Sequence, residues 1–114
     1  MTYEEFDAAC RVLPGATHEV LWGADHVYKV GGKMFAATGI EAKGFSAKFS
    51  DIAFEVLTET GRGRPSPYLA RAKWVRFDNL PELDPAEVAD WLKASHALVA
   101  AKLPKKLRAE LGLA

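Results

Sequence analysis

A pair of adjacent glycines between two short apolar segments constrains the fold more than any other feature of this chain. Gly31 and Gly32 separate segment 27–30 from segment 33–37, and both segments consist largely of apolar residues. A two-residue hairpin turn requires positive φ at its central positions, which glycine adopts without a Cβ clash. The two segments are therefore predicted to be neighbouring antiparallel strands.

The sequence around this hairpin predicts a larger antiparallel sheet. Short apolar runs interrupted by glycines extend from Glu19 to Phe49, which is typical of a meander. Apolar and polar residues alternate over 45–50, so this strand is expected to bury one face. The segment Arg71–Phe77 is rich in aromatic and β-branched residues and predicts a later strand. We expect about five strands in all.

Helices are predicted near both ends of the chain and in its middle. Thr2, Ser50 and Asp84 are each suited to cap a helix N-terminus, and Pro85 fits the first position of the longest helix. Residues 103–111 carry leucines four positions apart, which indicates a short final helix. The residues expected to point inward from the middle helix are Ala53, Val56 and Leu57.

The composition favours one globular domain over residues 1–114. Apolar residues make up 49% and charged residues 26% of the 114 residues. This size and balance suit a single core. Cys10 is the only cysteine, so an intramolecular disulfide is excluded and a reducing compartment is favoured. The acidic N-terminus is unlike a signal peptide, and no apolar run approaches a bilayer-spanning length. We expect a cytoplasmic protein with no membrane partner.

The charged residues cancel in number but are segregated along the chain. The sequence contains 15 basic and 15 acidic residues, so net charge alone gives no reason to expect a polyanionic partner. Residues 60–77 nevertheless contain no acidic residue, and a second basic run extends over 102–108. Cationic side chains on protruding loops and hairpins suit contact with phosphate oxygens. The residues predicted to contact nucleic acid are Arg62, Arg64, Arg71, Lys73, Arg76, Lys105 and Lys106.

Several motifs are distributed over nearly the whole chain: Tyr3-Glu4-Glu5-Phe6, Leu13-Pro14-Gly15, Trp22-Gly23, Tyr28-Lys29-Val30-Gly31-Gly32-Lys33-Met34-Phe35, the segment 67–75, Ser95-His96 and the segment 99–106. Together these motifs resemble the MmcQ/YjbR family. The resemblance implies an α+β fold in which an antiparallel sheet packs against N- and C-terminal helices, similar to the CyaY/frataxin type. It also implies a double-wing arrangement and contact with DNA.

Two other interpretations compete with contact to DNA. The basic residues are also consistent with ordinary solvated surface charge, because basic runs are common on protein surfaces. Tyr68, in a loop rich in proline and glycine, could stack on a base, but it could equally anchor a peptide or a second subunit. The alternative prediction is thus a module that binds a protein or a small ligand, or that self-associates, without catalysis.

Catalytic and metal-binding motifs are absent from the sequence. The polar candidates include Cys10 and the pairs His18-Glu19, Asp25-His26 and Ser95-His96, none in a known catalytic spacing. The first helix carries Glu4, Glu5 and Asp7, but acidic residues in a first turn are explained by the helix dipole. We therefore predict no catalytic residue, no metal site and no cofactor.

Overall fold

The computed structural model describes residues 1–21, 25–39, 43–67 and 69–113. Within these ranges the chain forms an α+β fold with four α-helices and a six-stranded antiparallel sheet. The helices are α1 (Tyr3–Arg11), α2 (Asp51–Glu59), α3 (Pro85–Ala101) and α4 (Lys105–Glu110). The strands are β1 (Ala16–Leu21), β2 (Asp25–Val30), β3 (Lys33–Gly39), β4 (Phe45–Lys48), β5 (Arg64–Pro65) and β6 (Trp74–Phe77), in the spatial order β1-β2-β3-β4-β6-β5.

The glycine hairpin forms as the sequence predicts. Strands β2 and β3 pair antiparallel, with Val30 opposite Lys33. Gly31 and Gly32 have φ values of 58° and 81°. Both values lie in the left-handed region that favours glycine. The turn fixes the register of the central strands and therefore determines where Lys33 lies.

The predicted helix caps are also present. The side chain of Thr2 accepts from the Glu5 amide at 3.1 Å, and the Glu5 carboxylate accepts from the Thr2 amide at 2.9 Å. These two hydrogen bonds complete a capping box. Ser50 accepts from the amide of Ala53, and Asp84 caps α3 directly before Pro85. Such local contacts explain why α1, α2 and α3 begin at the expected places.

The core lies between the sheet and the two helices α1 and α3. Phe45 stacks on Phe77 with ring centroids 4.9 Å apart, and it also contacts Phe6 of α1 at 5.2 Å. Leu92 of α3 is fully buried in the same cluster. Burial of each such side chain contributes roughly 1.5–3 kcal/mol. None of the described helices is long and apolar enough to cross a membrane.

Three details differ from the sequence-based expectations. The loop after α2 contributes β5, which pairs with β6 only and lies at the sheet edge; Pro65 is tolerated there for that reason. The segment Arg71–Phe77 is extended only from residue 74, because residues 70–72 form a 3₁₀ turn and Lys73 has a φ of 63°. Val56 is expected to be buried but is 53% exposed; α2 contacts β5 and β6, and Leu57 is buried.

Candidate nucleic-acid interface

Arg62, predicted to contact nucleic acid, is paired with a carboxylate from a distant part of the chain. Its guanidinium donates to both oxygens of Glu87 in α3, at 2.9 and 2.5 Å. These hydrogen bonds hold the pKa of Glu87 below its usual range. The guanidinium also lies 5.2 Å from the ring centroid of Trp91. A phosphate that binds Arg62 would therefore compete with Glu87.

Arg64 and Arg76 share a second carboxylate. Arg64 donates to Asp78 at 2.7 Å, and Arg76 donates to the same side chain at 3.1 Å. The hydrogen bond from Arg64, together with the weaker effect of the one from Arg76, lowers the pKa of Asp78 to about 2. Asp78 therefore stays ionised at neutral pH, and its single negative charge offsets one of the two positive charges beside it.

Arg71 and Lys73 lie on the 3₁₀ turn and its left-handed end, directly before β6. Arg71 is exposed. Lys73 is half-buried, and its ammonium lies 5.1 Å from the ring centroid of Phe54. This distance is that of a cation–π contact. Two of the predicted cations are thus presented by a turn that precedes the strand rather than by the strand itself.

A different set of cations converges at the end of β4. Lys33 begins β3, Lys48 ends β4, and Lys102 caps the C-terminus of α3. Together these lysines line a pocket of about 430 Å³, and no acidic residue is among the described residues of its lining. We call this the lysine pocket; its lining residues are Gly32, Lys33, Met34, Lys48, Trp74, Val99, Lys102 and Leu103.

Lys48 is the most constrained of the three lysines. Its Nζ donates to the carbonyl of Ala72 at 2.7 Å, and its own carbonyl accepts from the buried Ser95 hydroxyl at 2.5 Å. Partial burial lowers the pKa of Lys48, and the positive charge of Lys102 lowers it further, while the negative charge of Asp51 acts in the opposite direction. The site thus holds a partly desolvated cation beside a like charge, an arrangement that an anion would stabilise.

Helix α4 carries two further lysines soon after Lys102 in the chain. Its first turn exposes Lys105 and Lys106. Only two residues separate Lys102 from Lys105, so the chain geometry keeps the two lysines close together. The helix is held in place by apolar packing, since Leu103 and Leu107 lie against Gly31 of the hairpin. We use the name lysine face for Lys33, Lys48, Lys102, Lys105 and Lys106.

The sequence and the architecture of this chain are similar to those of known proteins. The YjbR family model matches residues 11–98, which is most of the chain. The chain belongs to the YjbR family. The crystal structure of Deinococcus radiodurans protein DR2400, whose family-model domain is DUF419, is similar with a TM-score of 0.86 and 25% sequence identity. That similarity covers 99% of this chain and 89% of the other. No curated protein matches this chain.

Most of the polar residues considered for catalysis have hydrogen-bond or ion-pair partners within this YjbR-family chain. The Nε2 of His18 lies 2.7 Å from the Nδ1 of His26, and the Tyr3 hydroxyl lies 3.0 Å from the same atom. Glu19 forms an ion pair with Lys29. The Nε2 of His96 lies 2.7 Å from the carbonyl oxygen of Pro14. His96 donates in this hydrogen bond, because a carbonyl oxygen only accepts.

Cys10, Glu5 and Asp7 are likewise buried or hydrogen-bonded within the chain. Cys10 is fully buried, and burial raises the pKa of its thiol. Glu5 belongs to the capping box, and Asp7 accepts from Tyr28 at 2.6 Å and from Arg11. The described residues contain no group of three or more His, Cys, Asp or Glu side chains that could hold a metal ion. Tyr68 and the Trp22-Gly23 motif lie outside the described residues.

Sequence reasoning missed the lysine pocket because its members come from three separate elements. Lys33 and Lys48 stand alone in the sequence, and neither belongs to a basic run. The one local signal was Lys102, which belongs to the basic run over 102–108. The pairing of Arg62 with Glu87, 25 positions away, was equally invisible in the sequence.

Proposed function

We propose that this YjbR-family chain binds nucleic acid by contacting the phosphate backbone, without reading base sequence. The observation that carries the proposal is the distribution of the cations. Arg62, Arg64 and Arg76 lie against carboxylates, whereas Lys33, Lys48 and Lys102 line one pocket whose described residues include none. The lysine face is therefore the part of the described surface best suited to attract an anion.

Phosphate contact also fits the kind of cation present. Lysine carries a compact ammonium on a flexible stem, which follows phosphate oxygens without demanding a fixed geometry. Contacts of this kind position a protein on nucleic acid but carry no sequence information. Arg71 and Lys73 lie on either side of Ala72, whose carbonyl accepts from Lys48.

The proposal is tested by titrating a fluorescent duplex of arbitrary sequence at several salt concentrations. If about four phosphates are contacted, log K falls with log salt at a slope of about −3.6. We expect a low-salt Kd tighter than about 100 μM, with little change between sequences. Weaker binding, or binding that does not depend on salt, would refute the proposal.

Two charge-removing variants locate the contact. The variant Lys102→Gln/Lys105→Gln/Lys106→Gln removes exposed charges from the lysine face, and we expect its slope to be smaller in size by about 2 to 3. Arg62→Gln/Arg64→Gln is the matched control, because these exposed arginines are already paired with carboxylates. A larger decrease of the salt slope in the arginine variant would assign the interface to the segment around Arg62 and Arg64 instead.

A second candidate function is protein contact through α2. Ile52 and Val56 lie one helical turn apart and are 76% and 53% exposed. Exposed apolar side chains that form a contiguous patch are typical of interaction sites. A groove of about 370 Å³ between α2 and α3, lined by Ala53 and Leu98 among others, lies alongside. Sedimentation velocity of the wild type and of Ile52→Lys/Val56→Lys tests self-association through this helix. A monomer at all concentrations would remove that form of the candidate.

A further inference from the structure

We propose that the lysine pocket binds one phosphate monoester attached to a planar apolar group, the chemistry shared by a free nucleotide and the 5′-phosphorylated end of a strand. The inference rests on the proposed function, because the pocket belongs to the lysine face. It goes further in assigning a discrete site with room for one terminal group. Backbone contact alone would require only exposed cations.

The charge of the pocket matches a dianion. Lys33, Lys48 and Lys102 contribute three ammonium groups, and the described residues of the lining include no carboxylate. A phosphate monoester carries a charge of about −1.5 to −2 at neutral pH, whereas a phosphodiester within a strand carries one negative charge. The pocket therefore favours a terminal phosphate over an internal one.

Lys48 is positioned to donate to such a phosphate. One of its three ammonium hydrogens is used by the carbonyl of Ala72, which orients the group and leaves two donors. Its backbone is fixed as well, because the Ser95 hydroxyl of α3 donates to its carbonyl. The donor is thus held in place before a ligand arrives, which reduces the entropic cost of binding.

The rest of the lining is apolar and suits a ring. Trp74, Val99 and Leu103 are only 4%, 6% and 6% exposed and belong to the walls of the pocket. Met34, half-buried beside them, is a flexible side chain that adapts to irregular shapes. The pocket volume is about 430 Å³. Sites for small molecules have volumes of this order and combine apolar walls with a few polar groups.

The probe for this proposal is adenosine monophosphate, titrated into the full chain by calorimetry. We expect saturable binding that is at least about tenfold tighter than binding of adenosine or of inorganic phosphate, because each lacks one half of the recognised group. Equal affinity for adenosine would show that the lysines do not contribute. Equal affinity for inorganic phosphate would show that the apolar walls do not contribute, and either result overturns the proposal.

Single-stranded oligonucleotides with and without a 5′-phosphate identify the source of the ligand. Tighter binding of the phosphorylated strand indicates a strand end, whereas no difference, together with binding of the mononucleotide, indicates a free nucleotide. The two proposals fail separately. Salt-dependent binding of a duplex with 5′-hydroxyl ends, without any mononucleotide binding, overturns only the pocket. Mononucleotide binding without duplex binding overturns only the proposed function.

Variants of the pocket complete the test. Lys48→Met keeps an unbranched apolar stem and removes the ammonium, and we expect it to weaken binding of the mononucleotide by about tenfold. Lys93→Met, exposed on α3 and outside the pocket lining, is the matched control and should bind as the wild type does. Lys102→Gln removes another ammonium group of the pocket at an exposed position, and it replaces Lys48→Met as the test if that variant is unstable. Unchanged affinity in a folded pocket variant contradicts the proposal.

Discussion

Gly31 and Gly32 provide a matched pair for testing how the hairpin holds the C-terminal helix. Both residues have positive φ, so alanine at either position costs about 1–2 kcal/mol of backbone strain. Alanine also reduces the entropy of the unfolded chain, which returns roughly 0.4–1 kcal/mol. The net backbone effect is thus about 1 kcal/mol at each position.

The two positions differ in their surroundings. A Cβ at Gly31 would lie 2.6 Å from one methyl carbon of Leu103 and 3.2 Å from Leu107, whereas a Cβ at Gly32 would meet nothing within 4 Å. Forcing an extra methyl group into packed side chains costs typically about 1–3 kcal/mol. We therefore expect Gly31→Ala to lower the free energy of unfolding by about 2–4 kcal/mol and Gly32→Ala to lower it by about 1 kcal/mol.

Thermal unfolding followed by circular dichroism measures the difference. For a domain of this size, about 1 kcal/mol corresponds to about 4 °C in Tm, so we expect losses of about 8–16 °C and about 4 °C. Urea titration should give the same ranking. Equal losses for the two variants would refute the packing of Leu103 and Leu107 against the turn, and with it the position of α4 beside the lysine pocket.

Three further outcomes are expected from the half-buried His18 and from the buried Ser95 and Cys10. Burial, with the charges of Arg11 and His26, lowers the pKa of His18 from 6.5. The unfolded chain therefore binds the proton first, and the free energy of unfolding should fall as pH drops below about 6.5. Urea titrations of the wild type and of His18→Gln across this range check the sign of this effect. A wild type that gains stability relative to the variant on acidification contradicts it. Ser95→Ala leaves the Lys48 carbonyl without its side-chain donor and should cost about 1–3 kcal/mol in urea, whereas a neutral effect would argue against that hydrogen bond. Cys10 should resist thiol reagents in the native protein and react after unfolding, because its thiol is buried and its pKa is raised; rapid native labelling would contradict its placement.

The elements that could be predicted from sequence are those specified by local chemistry. Thr2 with Glu5, Asp84 with Pro85, and Gly31 with Gly32 each determine a cap or a turn within a few residues. Such signals act on the backbone before any tertiary contact forms, so the structure keeps them. The antiparallel sheet and its terminal helices were therefore predictable.

Features that depend on pairing between distant segments were not predictable. β5 is a two-residue strand whose pairing with β6 no local pattern indicates. The apolar spacing in α2 identified a helix but not which of its sides meets the sheet, so Val56 was assigned to the core and is exposed. Likewise, Glu87 neutralises the charge of Arg62 only because the fold brings the two side chains together.

The candidate interface was predicted in part for the same reason. Lys105 and Lys106 were recognisable as an exposed basic run, and the structure exposes them. Lys33 and Lys48 acquire their significance only when β3, β4 and the end of α3 come together. Contact of any of these residues with nucleic acid stays a prediction.

The most direct test of the lysine face is a nuclear magnetic resonance titration of the ¹⁵N-labelled chain with a short duplex. We predict that backbone amide shifts concentrate in residues 31–34, around Lys48 and over residues 102–106, and that they reverse when salt is raised. Shifts confined to the loop around Arg62 and Arg64, or to the exposed side of α2, would contradict the account.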